Sequence, residues 1–255
     1  MQLNYQQQGH GFPVLLIHGL FGSLSNLGIL AKHLLQLGYQ VISVDTLNHG
    51  HSPRSTSMDY ALQADTIKKL CNHLAIEQCA LVGHSMGGKI AMATAQAYPE
   101  LVKALVVADI APVSYQHGHQ AVFAGLNNVQ LDNIRSRADA DKQLSVHVQE
   151  PGVRQFLLKS LTKTSQGWTW LFDISKLEQA YSQIIDWQAG AAFSKPCLFI
   201  KGEQSDYITS QYQAAVTEQF PQAQLKIING TGHWLHAEKP ALFNRLTEQF
   251  LAKHI

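Results

Sequence analysis

Short, almost wholly apolar runs recur along the chain, and each stops at a polar or glycine residue. Pro13 to Ile17 closes on His18-Gly19, Tyr39 to Val44 on Asp45, Ala80 to Val82 on Gly83, and Ala104 to Ala108 on Asp109. Cys197 to Ile200 and Leu225 to Ile228 close on Lys201-Gly202 and Asn229-Gly230. Runs of this length without polar alternation predict strands buried on both faces, as in a parallel sheet covered by helices. Between them Leu27 to Leu37, Tyr60 to Leu74, Gly88 to Tyr98, Ser210 to Phe220 and Ala241 to Lys253 read as helices. Gly38 caps the first of these and Pro99 stops the third. Strand and helix alternate through short connections, so the predicted class is α/β with an open, mostly parallel sheet. Ligands bind such sheets at the carboxyl ends of the strands, where the punctuation just described falls.

One interval breaks the rhythm. From Val113 to Phe193 no convincing core strand is visible, while Phe123, Leu126, Leu131, Phe156, Leu157, Leu161, Leu177, Tyr181 and Ile184 are spaced as in several short helices. Three of the four tryptophans (Trp168, Trp170 and Trp187) lie there as well. The expected organisation is a core made of residues 1–112 and 194–255, with residues 113–193 inserted as a helical lid over the site.

Composition narrows the function classes. With 45% hydrophobic and 15% charged residues in 255, one large core can form, and a formal net charge of +1 provides no broad field for nucleic acid or an anionic membrane. A small, neutral substrate is the expected partner. Met1 to Gly11 lacks the basic start and apolar stretch of a secretory signal, and no run approaches about 18 apolar residues. Three cysteines without C-x-x-C spacing suit buried thiols in a reducing compartment, so a cytoplasmic protein is expected.

Gly83-His84-Ser85-Met86-Gly87 fits G-x-S-x-G between an apolar strand and an alanine-rich helix. A serine on so sharp a strand-to-helix turn exposes its Oγ, and glycines two residues either side avoid collision. Ser85 is therefore the expected nucleophile, with the Met86 N–H at the helix N-terminus as an oxyanion donor. Gly83 to Lys89 also reads as the opening of a phosphate-binding loop, but Ile90 stands where that loop needs Ser or Thr for magnesium. His18-Gly19-Leu20-Phe21-Gly22 offers the second oxyanion donor, the Leu20 N–H, with Phe21, His84 and Trp234 in the substrate pocket and His18 bonded to backbone. Of 13 histidines, His233 alone follows the final strand and precedes the last helix, as a general base requires. His236 lies close by but brings no third metal ligand, and neither the H-x-H pairs nor this pair points to zinc. The acid stays open between Asp109 and Asp206, which follow neighbouring strands.

These phrases resemble the α/β-hydrolase superfamily over essentially the whole chain, and are similar to the YbfF-type bacterial esterases. The resemblance is carried by His18-Gly19-Leu20-Phe21-Gly22-Ser23 with Asn26-Leu27-Gly28, by Asp45 with Asn48-His49-Gly50 and Ser52-Pro53, and by Gly83 to Lys89. Asp109-Ile110-Ala111-Pro112-Val113, Gly232-His233-Trp234 and His236-Ala237-Glu238-Lys239-Pro240 complete it. It implies an eight-stranded sheet, a helical cap after the sixth strand, and hydrolysis of short to medium acyl esters without metal or cofactor. It favours Asp109 as the acid, although Asp206 occupies the position more usual across the superfamily. An acyl-thioester hydrolase is the rival chemistry, and a ligand sensor without turnover the rival class. Dehalogenases and epoxide hydrolases use an aspartate nucleophile, which Ser85 replaces.

Overall fold

The computed structural model describes residues 2–255. Along the chain run β1 (Tyr5–Gln8), β2 (Pro13–Ile17), α1 (Gly28–Gln36), β3 (Gln40–Val44), α2 (Tyr60–His73), β4 (Cys79–His84), α3 (Met86–Ala97) and β5 (Val102–Ala108). There follow α4 (Gln120–Asn128), α5 (Arg137–Leu144), α6 (Pro151–Leu158), β6 (Leu161–Thr164), β7 (Gly167–Trp170), α7 (Ile174–Gln179) and α8 (Tyr181–Ile185). The chain then returns through β8 (Cys197–Gly202), α9 (Gln213–Gln219), β9 (Ala223–Ile228), α10 (Leu235–Glu238) and α11 (Pro240–His254).

β1, β3, β2, β4, β5, β8 and β9 form one sheet in that order, parallel throughout except for β1, which runs antiparallel to β3 at the edge. This is the predicted α/β class, with seven strands among the described residues where the resemblance implied eight. The polar Tyr5-Gln6-Gln7-Gln8 stretch pairs as an edge strand, and residues 2–4 add none. The 113–193 segment follows the fifth strand of this sheet in chain order, where the resemblance implied a cap after the sixth.

Because strand side chains alternate, neighbouring residues feed two separate cores. Val14, Leu16, Ala80, Val82, Ala104 and Val106 face α1 and α11 through Leu30, Leu34, Phe243 and Leu251. Leu15, Ile17, Leu81, Leu105 and Val107 face α2 and α3 through Ile67, Leu70, Ile90 and Met92. The second cluster continues into the 113–193 segment, taking in Phe123, Leu126, Leu157 and Phe172. That segment is not wholly helical. β6 and β7 pair as an antiparallel hairpin with Leu161 opposite Trp170, and a single bridge joins Phe172 to His49 of the sheet body.

From β2 the chain moves to β3 on one side, and from there back across β2 to β4 on the other. The reversal leaves a crevice between the carboxyl ends of β2 and β4, which is where an open α/β sheet binds its ligand. No helix among the described residues is long and apolar enough to cross a membrane.

The two-sided core generates a contrast. Phe243→Ala, at a fully buried position of α11, should lower stability by about 3–5 kcal/mol. Leu225→Ala, at a half-exposed position of β9, should stay within about 0.5 kcal/mol of the parent. Urea unfolding midpoints of the two variants check the difference.

Candidate active site

β4 delivers Ser85 into the crevice on a turn held at φ 54° and ψ −122°. A Cβ at Gly83 would stand 2.1 Å from the Gly87 carbonyl oxygen, and one at Gly87 would stand 2.2 Å from the Ile17 carbonyl oxygen. Both contacts are with backbone, which cannot swing aside, so this turn requires glycine on either side of the serine. α3 begins at Met86, the first N–H of a helix and thus one without an intrahelical acceptor.

Ser85 Oγ–H donates to His233 Nε2 at 2.9 Å, and His233 Nδ1–H donates to Asp109 Oδ2 at 2.7 Å. Asp109 is fully buried at the end of β5, with φ at 53°, a left-handed conformation that Asp tolerates better than most residues. Its other oxygen accepts the Gly202 N–H at 3.0 Å, and the Ser205 hydroxyl donates to Oδ2. Asp206, the alternative acid, is exposed in the loop beyond β8 and makes no ion pair with His233. Ser205 and Tyr207 escaped sequence reasoning. Tyr207 stacks on the His233 imidazole with ring centroids 4.1 Å apart, and burial raises its phenol to about 12. Nothing in a lone loop tyrosine marks it for that contact.

The other oxyanion candidate lies on the loop after β2. Gly22 N–H closes a turn on the Gly19 carbonyl at 3.0 Å, with Leu20 and Phe21 at its centre and Phe21 at φ 62°. Two buried histidines hold this turn. His18 bonds the Gly19 carbonyl through Nδ1 at 2.7 Å and the Thr46 N–H through Nε2 at 3.1 Å, the backbone role expected for it. His49 Nε2 accepts the Phe21 N–H at 3.0 Å while its Nδ1 reaches the Leu47 carbonyl at 2.8 Å. These partners place the protons on Nδ1 in both rings.

Two cavities meet at Ser85 and share Leu20, Tyr207 and His233. The larger, about 530 Å³, is lined by Tyr60, Lys89, Tyr115, Gln116 and Tyr212. The smaller, about 340 Å³, is lined by Phe21, His84, Val122, Val153, Phe156 and Trp234. Phe21, His84 and Trp234, the three expected pocket residues, thus line the same smaller cavity. His84 has a second task there, since its Nε2–H donates to the His233 carbonyl at 2.8 Å and braces the loop that carries the imidazole.

A family profile described as alpha/beta hydrolase fold matches residues 13–240. Esterase YbfF of Escherichia coli (strain K12) is 39% identical over 247 residues, covering 96% of this chain and 95% of that protein. The sn-1-specific diacylglycerol lipase of Mus musculus is 38% identical over 247 residues, covering 94% and 80% respectively. Among solved structures, a marine microorganism esterase superposes with a TM-score of 0.93 at 35% identity, covering 98% of this chain and 99% of that one.

The histidines around the site generate a pH prediction. Burial lowers His18, His49 and His84 below the ordinary imidazole range, brings His119 to about 4 and brings His236 to about 3. Folded-state values below the unfolded value near 6.5 mean that the unfolded chain binds protons first as pH falls. The stability these rings contribute is present above the unfolded value near 6.5 and is lost as pH falls toward the folded values, about 4 for His119 and about 3 for His236. Between pH 7.5 and 5.0 His119 and His236 should each remove about 1–2 kcal/mol, read as a falling urea midpoint. His236→Gln should reduce that fall.

Proposed function

Given that the chain belongs to the α/β-hydrolase fold family and is a carboxylic ester hydrolase, we propose that it cleaves esters through an acyl-enzyme on Ser85. His233 serves as general base and Asp109 as its orienting acid. The observation that carries this reading is the continuous hydrogen-bond chain from Asp109 Oδ2 through both ring nitrogens of His233 to Ser85 Oγ.

In the first step Ser85 Oγ gives its proton to His233 Nε2 and attacks the ester carbonyl carbon. The imidazolium so formed is stabilised by the Asp109 carboxylate, which the Gly202 N–H and Ser205 hydroxyl keep oriented. The carbonyl oxygen gains charge in the mouth formed by the Leu20 and Met86 N–H groups. Fixed donors lower the barrier there because they need no reorganisation as the charge develops. His233 returns the proton to the departing alcohol, and water repeats the sequence to release the acid.

Residues 1–112 and 194–255 act as the catalytic body and 113–193 as a cap whose α4, α6 and α8 close the cavities from above. Several ties support that division. Ser160 Oγ–H donates to the Phe21 carbonyl at 2.9 Å, and Tyr60 Oη–H donates to the Ile184 carbonyl at 2.6 Å. The modest apolar cavity beside Ser85 favours short to medium acyl chains. Cys71, Cys79 and Cys197 are free and buried, which suits a cytoplasmic setting.

Ser85→Ala should lower kcat toward p-nitrophenyl butyrate by about 10⁴-fold or more. Asp109→Asn should fall by a comparable factor through the wrong imidazole tautomer, whereas Asp206→Asn should stay within about twofold of the parent. Equal losses in the two aspartate variants would remove Asp109 from its role.

A further inference from the structure

Lys89 heads the fully buried side chains by volume, at 1% exposure, and it lies one helical turn beyond Ser85 on α3. Lysine is almost never buried so completely unless it is paired. Its Nζ donates to the Ile185 and Asp186 carbonyls, each at 2.9 Å, at the C-terminal end of α8. The ring faces of Tyr115 and Tyr60 lie 4.9 and 5.5 Å from it. Among the described residues it makes no ion pair, and the nearby Asp186 carboxylate accepts instead from the Ser114 hydroxyl at 2.6 Å. Carbonyls and π-faces solvate the ammonium without neutralising it. Two of its three N–H bonds are used, and the side chain lines the larger cavity together with Ser85.

From the geometry we infer that the larger cavity takes the carboxylate-bearing half of a substrate and that Lys89 is the specificity-determining residue that reads it. The inference rests on the ester-hydrolase reading for the reaction but not for the binding. Its substrate class is an ester with an alkyl portion in the Phe21, Phe156 and Trp234 cavity and a carboxylate on the opposite side of the scissile bond. A buried cation with no carboxylate within ion-pair distance is a costly feature, and a ligand carboxylate would supply a directly bonded charge there. Burial also lowers the Lys89 amino group to about 7, with Asp186 opposing the change, so an entering anion would draw it to full protonation near neutral pH. Gln116, Gln204 and Tyr212 on the same wall offer polar groups to the rest of that half.

A purely structural Lys89, tying α8 to α3, predicts something different, since losing a tether would affect every substrate alike. The test compares monoethyl adipate with ethyl hexanoate, which share the ester and the chain length and differ by a terminal carboxylate. In Lys89→Met, kcat/KM for monoethyl adipate should fall by about 10- to 100-fold, the range of a hydrogen bond to a charged group, while ethyl hexanoate changes by less than about threefold. Equal losses for the two esters would overturn the inference. Calorimetric binding to Ser85→Ala keeps the test independent of turnover and of whether Lys89→Met folds. Monoethyl adipate should bind that protein at least about 10-fold more tightly than ethyl hexanoate, and equal affinities would overturn the anion site. Tighter carboxylate binding without hydrolysis by the parent protein would sink the ester-hydrolase reading and leave the anion site standing.

Discussion

Ser85 is held at φ 54°, ψ −122° between β4 and α3, a conformation that costs a non-glycine residue about 1–3 kcal/mol and survives only where the surroundings over-determine it. Here they do. β4 is hydrogen-bonded between β2 and β5, α3 packs across the sheet through Ile90 and Met92, Gly83 lets the two limbs of the turn meet at backbone contact, and Gly87 lets the turn meet the end of β2. One geometric demand thus links three features. The serine must project, the first N–H of α3 must face the same crevice, and the β2 loop must lie directly alongside. Changing the turn would displace all three together.

Around that turn Asp109, His18 and His49 are kept dry but paired. Asp109 loses its water to a wholly buried position and receives the Gly202 N–H, the Ser205 hydroxyl and the His233 N–H in exchange. His18 and His49 sit in edge-to-face contact at 5.1 Å, and each ring spends one nitrogen on the loop holding Leu20 and Phe21 and the other on the Thr46–Leu47 backbone. Such pairing is what makes buried polar groups tolerable, and it also makes the site rigid.

Much of this was legible in the chain because β2, β3, β4, β5 and β8 are apolar on both faces, and each ends at the residue type its loop needs. Ser85 and His233 stand out by order and context alone, and the structure brings them within hydrogen-bond distance. β1 could not, since Gln6, Gln7 and Gln8 lie on an exposed edge and carry no apolar signal. The β6–β7 hairpin was hidden for a related reason: four-residue strands with mixed polarity give no period to read. Asp109 and Asp206 both follow strands, and only the turn at φ 53° and the reach of the β8 loop separate them. Lys89 looked like part of a false phosphate-loop match. Its meaning lies in what packs around it, which comes from α8 nearly a hundred residues further along the chain.

Two cavities meet at Ser85, so its position at their junction is the centre of the account. The most direct measurement is to treat the protein with a fluorophosphonate, follow residual esterase activity, and map the adduct by peptide mass. A single adduct on the peptide carrying Ser85, formed in step with the loss of activity, is the result this account predicts. Full modification at Ser85 with activity intact, or inactivation with the label on another residue, would contradict it.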